Sequence, residues 1–453
     1  MTDKSERPDI VVPAESAGRG PFLKGELRGE HFFCRDILTQ FERIAPLTRK
    51  TRIHLLLTAD QAKKLFVLPG PFTFKGSICA SNGVIETRVA KDIWPKSISQ
   101  ITHEEAFYWT QTSGAIGSLE IRKKFTPGPE FDSRRDTFSA WFVARPCFAL
   151  QILANQTKEE AEESAEYGFS KQDINFTLTD GATTSIHRYP HFPWINTSRN
   201  VKPRGYSITV EGFKDPETAR RDVDILILLA SFASRERSIS GHWSYDTKEE
   251  FVQFWQFNIG KFRKRYEREE PVVPRDRGEC CAFLQTAFDK YSATSMHQPL
   301  LENAIYTLLN EQTTLEVDIV RLFLAVQGAL YFATQIPLNP QKRPRIGDLY
   351  RKFLKAYPGT FDGLWPFIDR QEGPPLYDLR NAIVHGEAFS EQEWLALSYA
   401  GEHLRWHIER IILVALGWDV EKSTVSGRAL GFFTAYQNWK QERNQLAGWL
   451  SSP

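Results

Sequence analysis

"KFRKRYEREEPVVPRDRGE", residues 261–279, is where the chain changes its grammar. The stretch is dense in charge and is broken by Pro271 and Pro274, which can neither continue a helix nor donate to a sheet ladder. Before it the text reads as strands, and after it as helices. That contrast decides the fold class, which is α+β. It predicts a loose polar leader at 1–20, a β-rich domain over 21–270, and an all-α helical-bundle domain over 280–453 that ends in an amphipathic helix.

On the N-terminal side, "FLKGELRG", "RIHLLLT", "FTFKGSICA", "GSLEIRKKF", "DTFSAWFVA", "INFTLTDG" and "GYSITVEGF" are short β-rich runs separated by Gly, Pro, Asp and Asn. "ETARRDVDILILLASFAS" (217–234) predicts a largely buried helix among them. On the C-terminal side come "HQPLLENAIYTLLNE", "TLEVDIVRLFLAVQGALYFATQ", "IGDLYRKFLKAY" and "SEQEWLALSYAGEHLRWHIERIILVALGW", all at helical spacing. Ser390, with Glu391 and Glu393, is a sound start for the last of these, because its hydroxyl and the early acids satisfy free amides. "ALGFFTAYQNWKQERNQLAGWL" closes the chain as one more aromatic-rich helix.

At 453 residues, roughly 150 per domain gives two or three domains and ample core. The net charge is +1, so no global field advertises a nucleic acid or a membrane, and any binding surface is local. "MTDKSERPDI" lacks the apolar core of a signal peptide. "ILILLA" (225–230) and "IILVAL" (411–416) fall short of the ~20 apolar residues a membrane span needs. Cys34, Cys79, Cys147, Cys280 and Cys281 are odd in number and scattered, without a Cys-x-x-Cys pair. The expectation is a cytoplasmic protein with no membrane span, no structural zinc and no disulfide framework.

Within the helical half, "YDLRNAIVHGEAF" (377–389) places polar groups where an ordinary solvent face would carry Glu or Lys. On a helical wheel Leu376, Leu379 and Ile383 share one side, while Tyr377, Asn381 and His385 form a second stripe. Arg380 lies between them, roughly 140° from His385, so these two do not pair along one helix. They converge only if a second copy packs alongside across a two-fold axis. Asn381 and His385 are four apart, which lets the amide orient the imidazole. Arg-x4-His also occurs at Arg49/His54 and Arg237/His242, so the spacing alone does not separate a site from a solvated helix with a capping histidine.

In its helical setting, "LRNAIVHGE" resembles the HEPN superfamily (higher-eukaryote and prokaryote nucleotide-binding domains), and within it the ApeA-like branch of bacterial defence proteins. The likeness covers about 295–418. The β-rich half ending in "ILILLASFASRERSISGHW" is similar, more faintly, to the N-terminal domain that accompanies this branch. The family's motif is Arg, a polar residue, three further residues, then His, matched here by Arg380, Asn381 and His385. The resemblance implies a metal-independent endoribonuclease without a cofactor, working as a homodimer through the HEPN domain. It further implies defence against phage by damage to cellular RNA, tRNA included, on a phage-derived trigger. Some relatives carry an acidic residue late in the preceding long helix. Here that position holds Gln327, with Glu316 and Asp318 a few turns earlier.

The residue types suit that chemistry. RNA carries its own nucleophile, the 2′-hydroxyl. A histidine, with an ordinary pKa near 6.5, serves as base or acid near neutrality, worth about 10²–10⁴-fold. An arginine fork stabilises the charge that grows on the non-bridging oxygens. Two other readings stand beside this one: an inactive HEPN dimerisation or RNA-binding module with ligand recognition by the N-terminal half, and a small-molecule or carbohydrate sensor suggested by the Trp-rich β half.

Three weaker signals complete the survey. "QKRPRIGDLYRKFLKAY" (341–357) gathers Lys342, Arg343, Arg345, Arg351, Lys352 and Lys355 against Asp348 alone, a candidate for contacts to an RNA backbone or simply a solvated face. "HRYPHFPW" (187–194) interleaves two histidines with aromatics and reads as a rigid loop or a stacking site. His403 and His407 have metal-compatible helical spacing but no evident third ligand, so packing is the better reading.

Overall fold

The computed structural model describes residues 19–42, 51–79, 84–102, 108–125, 136–144, 176–189, 204–257, 270–310, 314–338, 344–386, 389 and 393–450, except 69, 180, 275, 371 and 372. All of the loose leader but Arg19 and Gly20, which begin the first strand, and most of "HRYPHFPW" lie outside these residues, as do Ser390 and Glu391. The α+β class holds: an antiparallel sheet fills the N-terminal region and helices fill the C-terminal one.

The strands are β1 (Arg19–Gly29), β2 (Phe32–Glu42), β3 (Arg52–Thr58), β4 (Phe72–Cys79), β5 (Ile85–Thr102), β6 (Tyr108–Ala115), β7 (Ser118–Lys124), β8 (Thr137–Ala144), β9 (Phe176–Thr177), β10 (Thr183–Tyr189), β11 (Arg204–Glu211), β12 (Ile239–Asp246) and β13 (Glu250–Gln256). They hydrogen-bond in the order β4-β1-β2-β3-β6-β5-β7-β13-β12-β8-β11-β10-β9, with a further β4–β5 pairing. That extra pairing closes six strands, β4-β1-β2-β3-β6-β5, into a ring.

β5 makes the closure by serving several neighbours. Residues 85–93 pair with β4, 85–91 also pair with β7, and 94–102 pair with β6. A left-handed Asp92 (φ 54°) and a bulge between Pro95 and Ser97 separate the two halves of the strand. Leu23, Leu27, Phe41, Ile53, Leu55, Phe74 and Leu119 belong to the ring's core, to which helix α1 (Ala59–Val67) adds Ala62 and Leu65. Closure also removes open edges that would otherwise template pairing with other chains.

β7 links β5 of the ring to the remaining strands, which form a wing, β13-β12-β8-β11-β10-β9. β13 is its hinge between two cores. Its Trp255 faces the ring core, whereas Phe254, on the other face, stacks on Trp243 of β12 beneath Arg220. Arg220 belongs to α2 (Pro216–Ser234), which Asp215 caps by accepting from the Thr218 N–H at 2.9 Å. The helix is buried over most of its surface and lies against β8 and β12.

The helical half comprises α3 (Arg277–Ala293), α4 (Gln298–Leu309), α5 (Leu315–Thr334), α6 (Ile346–Ala356), α7 (Leu376–Val384), α8 (Trp394–Ala415), the short α9 (Gly427–Leu430) and α10 (Thr434–Leu450). α5 packs on α4, α6, α7 and α8. At 20 residues with a mean hydropathy of 1.4 it is long and apolar enough to cross a bilayer, although charged residues interrupt its apolar runs. Most of that stretch is buried: Ile319, Leu322, Val326, Ala329 and Leu330 belong to the bundle core. Gly328 permits the close α4 crossing, since a Cβ there would come within 2.9 Å of the Leu300 carbonyl oxygen.

The hydrophobic cores do not divide at the charged segment. Phe138, Ile186, Ile208 and Val210 of the wing, all of α2's buried face and the bundle helices form one continuous cluster. The segment's "PVV" enters it: Val272 and Val273 are fully buried. Val273 N–H donates to Ala233 O at 3.3 Å, and Thr424 N–H donates to Val272 O at 2.9 Å. Arg235, left-handed at the end of α2, completes the fastening with a two-pronged ion pair to Glu409 of α8 (2.7 Å) and a bond to Glu270 O (2.8 Å).

Candidate functional site

α7 begins after Pro374 and Pro375, whose extended geometry ends the preceding segment. Its first amides do not wait for solvent. Leu376 N–H donates to Pro366 O and Tyr377 N–H to Phe367 O, both at 3.0 Å. Asp378 sits in the first turn, where the helix dipole favours an acid, and pairs with Arg370 at 2.8 Å. That contact holds the Arg370 guanidinium above its ordinary pKa, through the hydrogen bond first and the charge second.

Leu376, Leu379 and Ala382 are the buried face of α7, and Ile383 packs against the same core. The helix rests on α5 and α10. It ends cleanly: His385 N–H donates to Asn381 O (2.9 Å), Gly386 N–H donates to Ile383 O (3.1 Å), and Gly386 adopts φ +80°. A glycine in the left-handed region is the usual way to stop a helix without strain.

This termination fixes the predicted catalytic trio. His385 is exposed at the end of α7, beside exposed Val384 and Gly386. Arg380 and Asn381 are half-buried one turn earlier. Arg380 Nη1 donates to Asn381 Oδ1 at 3.0 Å. The amide therefore braces the guanidinium, and among the described residues no hydrogen bond joins Asn381 to the His385 ring, as the four-residue spacing had suggested. The polar residue after Arg thus positions the arginine, not the imidazole.

Asp318 of α5 is occupied elsewhere. Asp318 is buried and engaged by Arg405 of α8, with Arg321 at 3.9 Å. Gln327 lines a groove between α4 and α5.

Of the basic segment, Lys342 and Arg343 lie outside the described residues. Arg345 is exposed at the N-cap of α6. Arg351 pairs with Asp348 at 3.1 Å while both stay exposed, and Lys352 Nζ donates to Thr334 O (3.3 Å), at the end of α5. An exposed pair of this kind is worth at most about 1 kcal/mol and yields readily to a competing anion.

His403 and His407 have a different task from metal binding. Both grip the backbone of one residue: His403 Nδ1 accepts from the Trp365 N–H (3.0 Å), and His407 Nε2 donates to Trp365 O (2.9 Å). His403 Nε2 meets Ala435 O at 3.2 Å, which fixes its tautomer. Burial pushes both imidazoles down to about 3. Beside them Arg410, also buried, donates to Val425 O, Thr360 O and Asp362 O. These groups build the floor on which the segment before α7 lies. Among the described residues no group of three or more His, Cys, Asp or Glu is placed to hold a metal ion.

One polar cluster escapes a motif search because its residues are far apart in sequence. Arg220, Arg221 and Asp224 of α2 meet Arg237, Tyr291 of α3, and Glu302 and Tyr306 of α4 around a recess. Only the Arg-Arg pair on an otherwise buried helix hints at it in the sequence. No known protein family, curated protein or solved structure matches this chain.

Proposed function

We propose that the protein is a metal-independent endoribonuclease of the HEPN kind, with Arg380, Asn381 and His385 as its catalytic residues. The observation that carries this reading is an exposed imidazole at the end of a helix whose half-buried arginine, five residues earlier, is braced by the amide beside it. In the reaction, one histidine takes the proton of the 2′-hydroxyl, and that oxygen attacks the adjacent phosphorus. Arginine forks stabilise the pentacoordinate dianion, and a second histidine protonates the departing 5′-oxygen. The products are a 2′,3′-cyclic phosphate and a 5′-hydroxyl.

Two histidines require two chains, and exposed Val384 at the end of α7, with exposed Trp394 and Leu395 at the start of α8, supplies an apolar rim for a homodimer. Lys342, Arg343, Arg345, Arg351 and Lys352 hold the RNA backbone. The setting is the cytoplasm, the role defence against phage through cleavage of cellular RNA such as tRNA, and release comes from a phage-derived trigger read by the β-rich half.

Purified protein incubated with total RNA in EDTA, followed by mapping of product ends, is the test. Cyclic phosphate ends from the wild type, and none from a folded His385→Ala variant, are expected. Cleavage that persists in His385→Ala, or that needs added metal, overturns the assignment.

A further inference from the structure

A recess of about 510 Å³ opens where α2, the start of β12, α3 and α4 meet. That is within the size range of small-molecule sites. Three guanidinium groups line it, and two of them, Arg221 and Arg237, are held by neutral partners. Arg221 Nη2 donates to Gln298 Oε1 (2.9 Å), and Arg237 Nη1 donates to Asn310 Oδ1 (3.3 Å) while its guanidinium lies 5.6 Å over the Tyr306 ring. Arg220 lies 4.8 Å over the Trp243 ring, and its nearest carboxylate, Asp224, is 3.9 Å away. Among the described residues, none of the three donates a hydrogen bond to a carboxylate. A guanidinium has five N–H donors, so most of this donor capacity is unspent.

The opposite wall accepts. Tyr291 Oη donates to Glu302 Oε1 at 2.5 Å, which orients that carboxylate and leaves its second oxygen for another donor. Asp224 stands at the mouth, and the protein crowded around it, with repulsion from Glu302, raises its carboxyl above the ordinary value despite Arg220. Apart from the long Arg220–Asp224 pair, acids and arginines share one cavity without hydrogen-bonding one another, an arrangement that leaves donors and acceptors to spare. A ligand that answers it carries a tetrahedral anion for the forks and hydroxyl donors for the carboxylates.

We infer that this recess binds a small organic phosphate bearing hydroxyl groups, the chemistry shared by sugar phosphates and ribonucleotides. The anion meets Arg220, Arg221 and Arg237, and the hydroxyls meet Glu302 and Asp224. The inference does not rest on the ribonuclease reading, because the recess shares no residue with α7.

Calorimetric titration of the full chain with ribose 5-phosphate, adenosine 5′-monophosphate, inorganic phosphate and ribose tests it. At least one of the two organic phosphates is expected to bind saturably, about tenfold or more tighter than inorganic phosphate or ribose. Equal binding of both assigns a sugar phosphate, and tighter binding of the nucleotide assigns a ribonucleotide. Arg221→Ala with Arg237→Ala, both at exposed positions, should weaken binding about tenfold or more. Glu302→Gln should weaken it by less, and an unchanged thermal melt serves as the fold control. Absence of saturable binding at millimolar concentration, phosphate binding as tightly as its esters, or affinity indifferent to the arginine substitutions overturns the inference.

Discussion

His403 and His407 are four residues apart on α8, and together they hydrogen-bond both backbone groups of one buried residue, Trp365. Only a neutral His403 can accept at Nδ1, and burial favours the neutral form of His407. Their folded values of about 3 stand against an ordinary 6.5. Between those limits the unfolded chain binds protons that the folded chain refuses. Stability is therefore full above about pH 6.5 and falls as the pH drops, by about 1.4 kcal/mol per pH unit for each ring once the unfolded histidines are charged. Urea unfolding between pH 7 and 5 should show this loss. A His403→Gln, His407→Gln double variant should show a slope shallower by about 1.4 kcal/mol per pH unit or more, whatever its absolute stability. Equal slopes would remove the two rings from the account. Their spacing was legible in the sequence, but their purpose was not: the partner is a backbone group about forty positions away, which leaves no side-chain signature.

Element by element, legibility followed how completely each segment is covered. "RIHLLLT" is β3 to the residue, and "ETARRDVDILILLASFAS" is α2 but for its first proline, because strong apolar runs between turn residues leave one solution. β13 was less legible. A strand lying between β7 and β12, with Trp255 toward one core and Phe254 toward the other side, shows paired rather than alternating apolar residues. α3 hid behind the charged stretch, although Asp276 accepts from the Glu279 N–H and is a sound start signal. The closing helix splits at exposed Phe432 into α9 and α10, since Gly427 and Gly431 weaken its first turns. For α7 the sequence yielded Leu376 and Leu379 of the buried face and a separate stripe ending in His385, and misplaced the amide's partner. The end of α7 carries a prediction of its own. Gly386 has φ +80° with open space around its Cα, so Gly386→Ala meets no clash and costs only the left-handed strain, about 1 kcal/mol. If the end of α7 presents His385 for catalysis, that variant should keep its fold in a thermal melt while cleavage falls several-fold. A loss of activity no larger than the loss of folded protein would separate the helix end from the chemistry.

At the scale of the whole molecule, continuity of the core overrides the break in sequence grammar. α2 and the wing share one apolar cluster with the bundle, and Val272 and Val273 sit inside it, each worth about 1.5–3 kcal/mol on burial. A chain starting at residue 277 would expose the surface that α2 covers and leave Glu409 buried without Arg235. Removing one partner of a buried ion pair costs about 3–5 kcal/mol. That fragment should therefore melt without cooperativity, and a sharp transition at the full-length temperature would show the bundle to be independent. Catalysis sets the second test at this scale, because Arg380 and His385 diverge around α7 and one chain offers a single histidine. If two copies of α7 face each other and both histidines are needed, an excess of His385→Ala chains mixed with wild-type chains should suppress cleavage, since each mixed dimer retains a single histidine. The mixture should also sediment as a dimer, with Trp394→Glu, placed in the apolar rim, shifting it toward monomer and abolishing cleavage together. An active species that sediments as a monomer at the assay concentration is the result that would end the shared-site account.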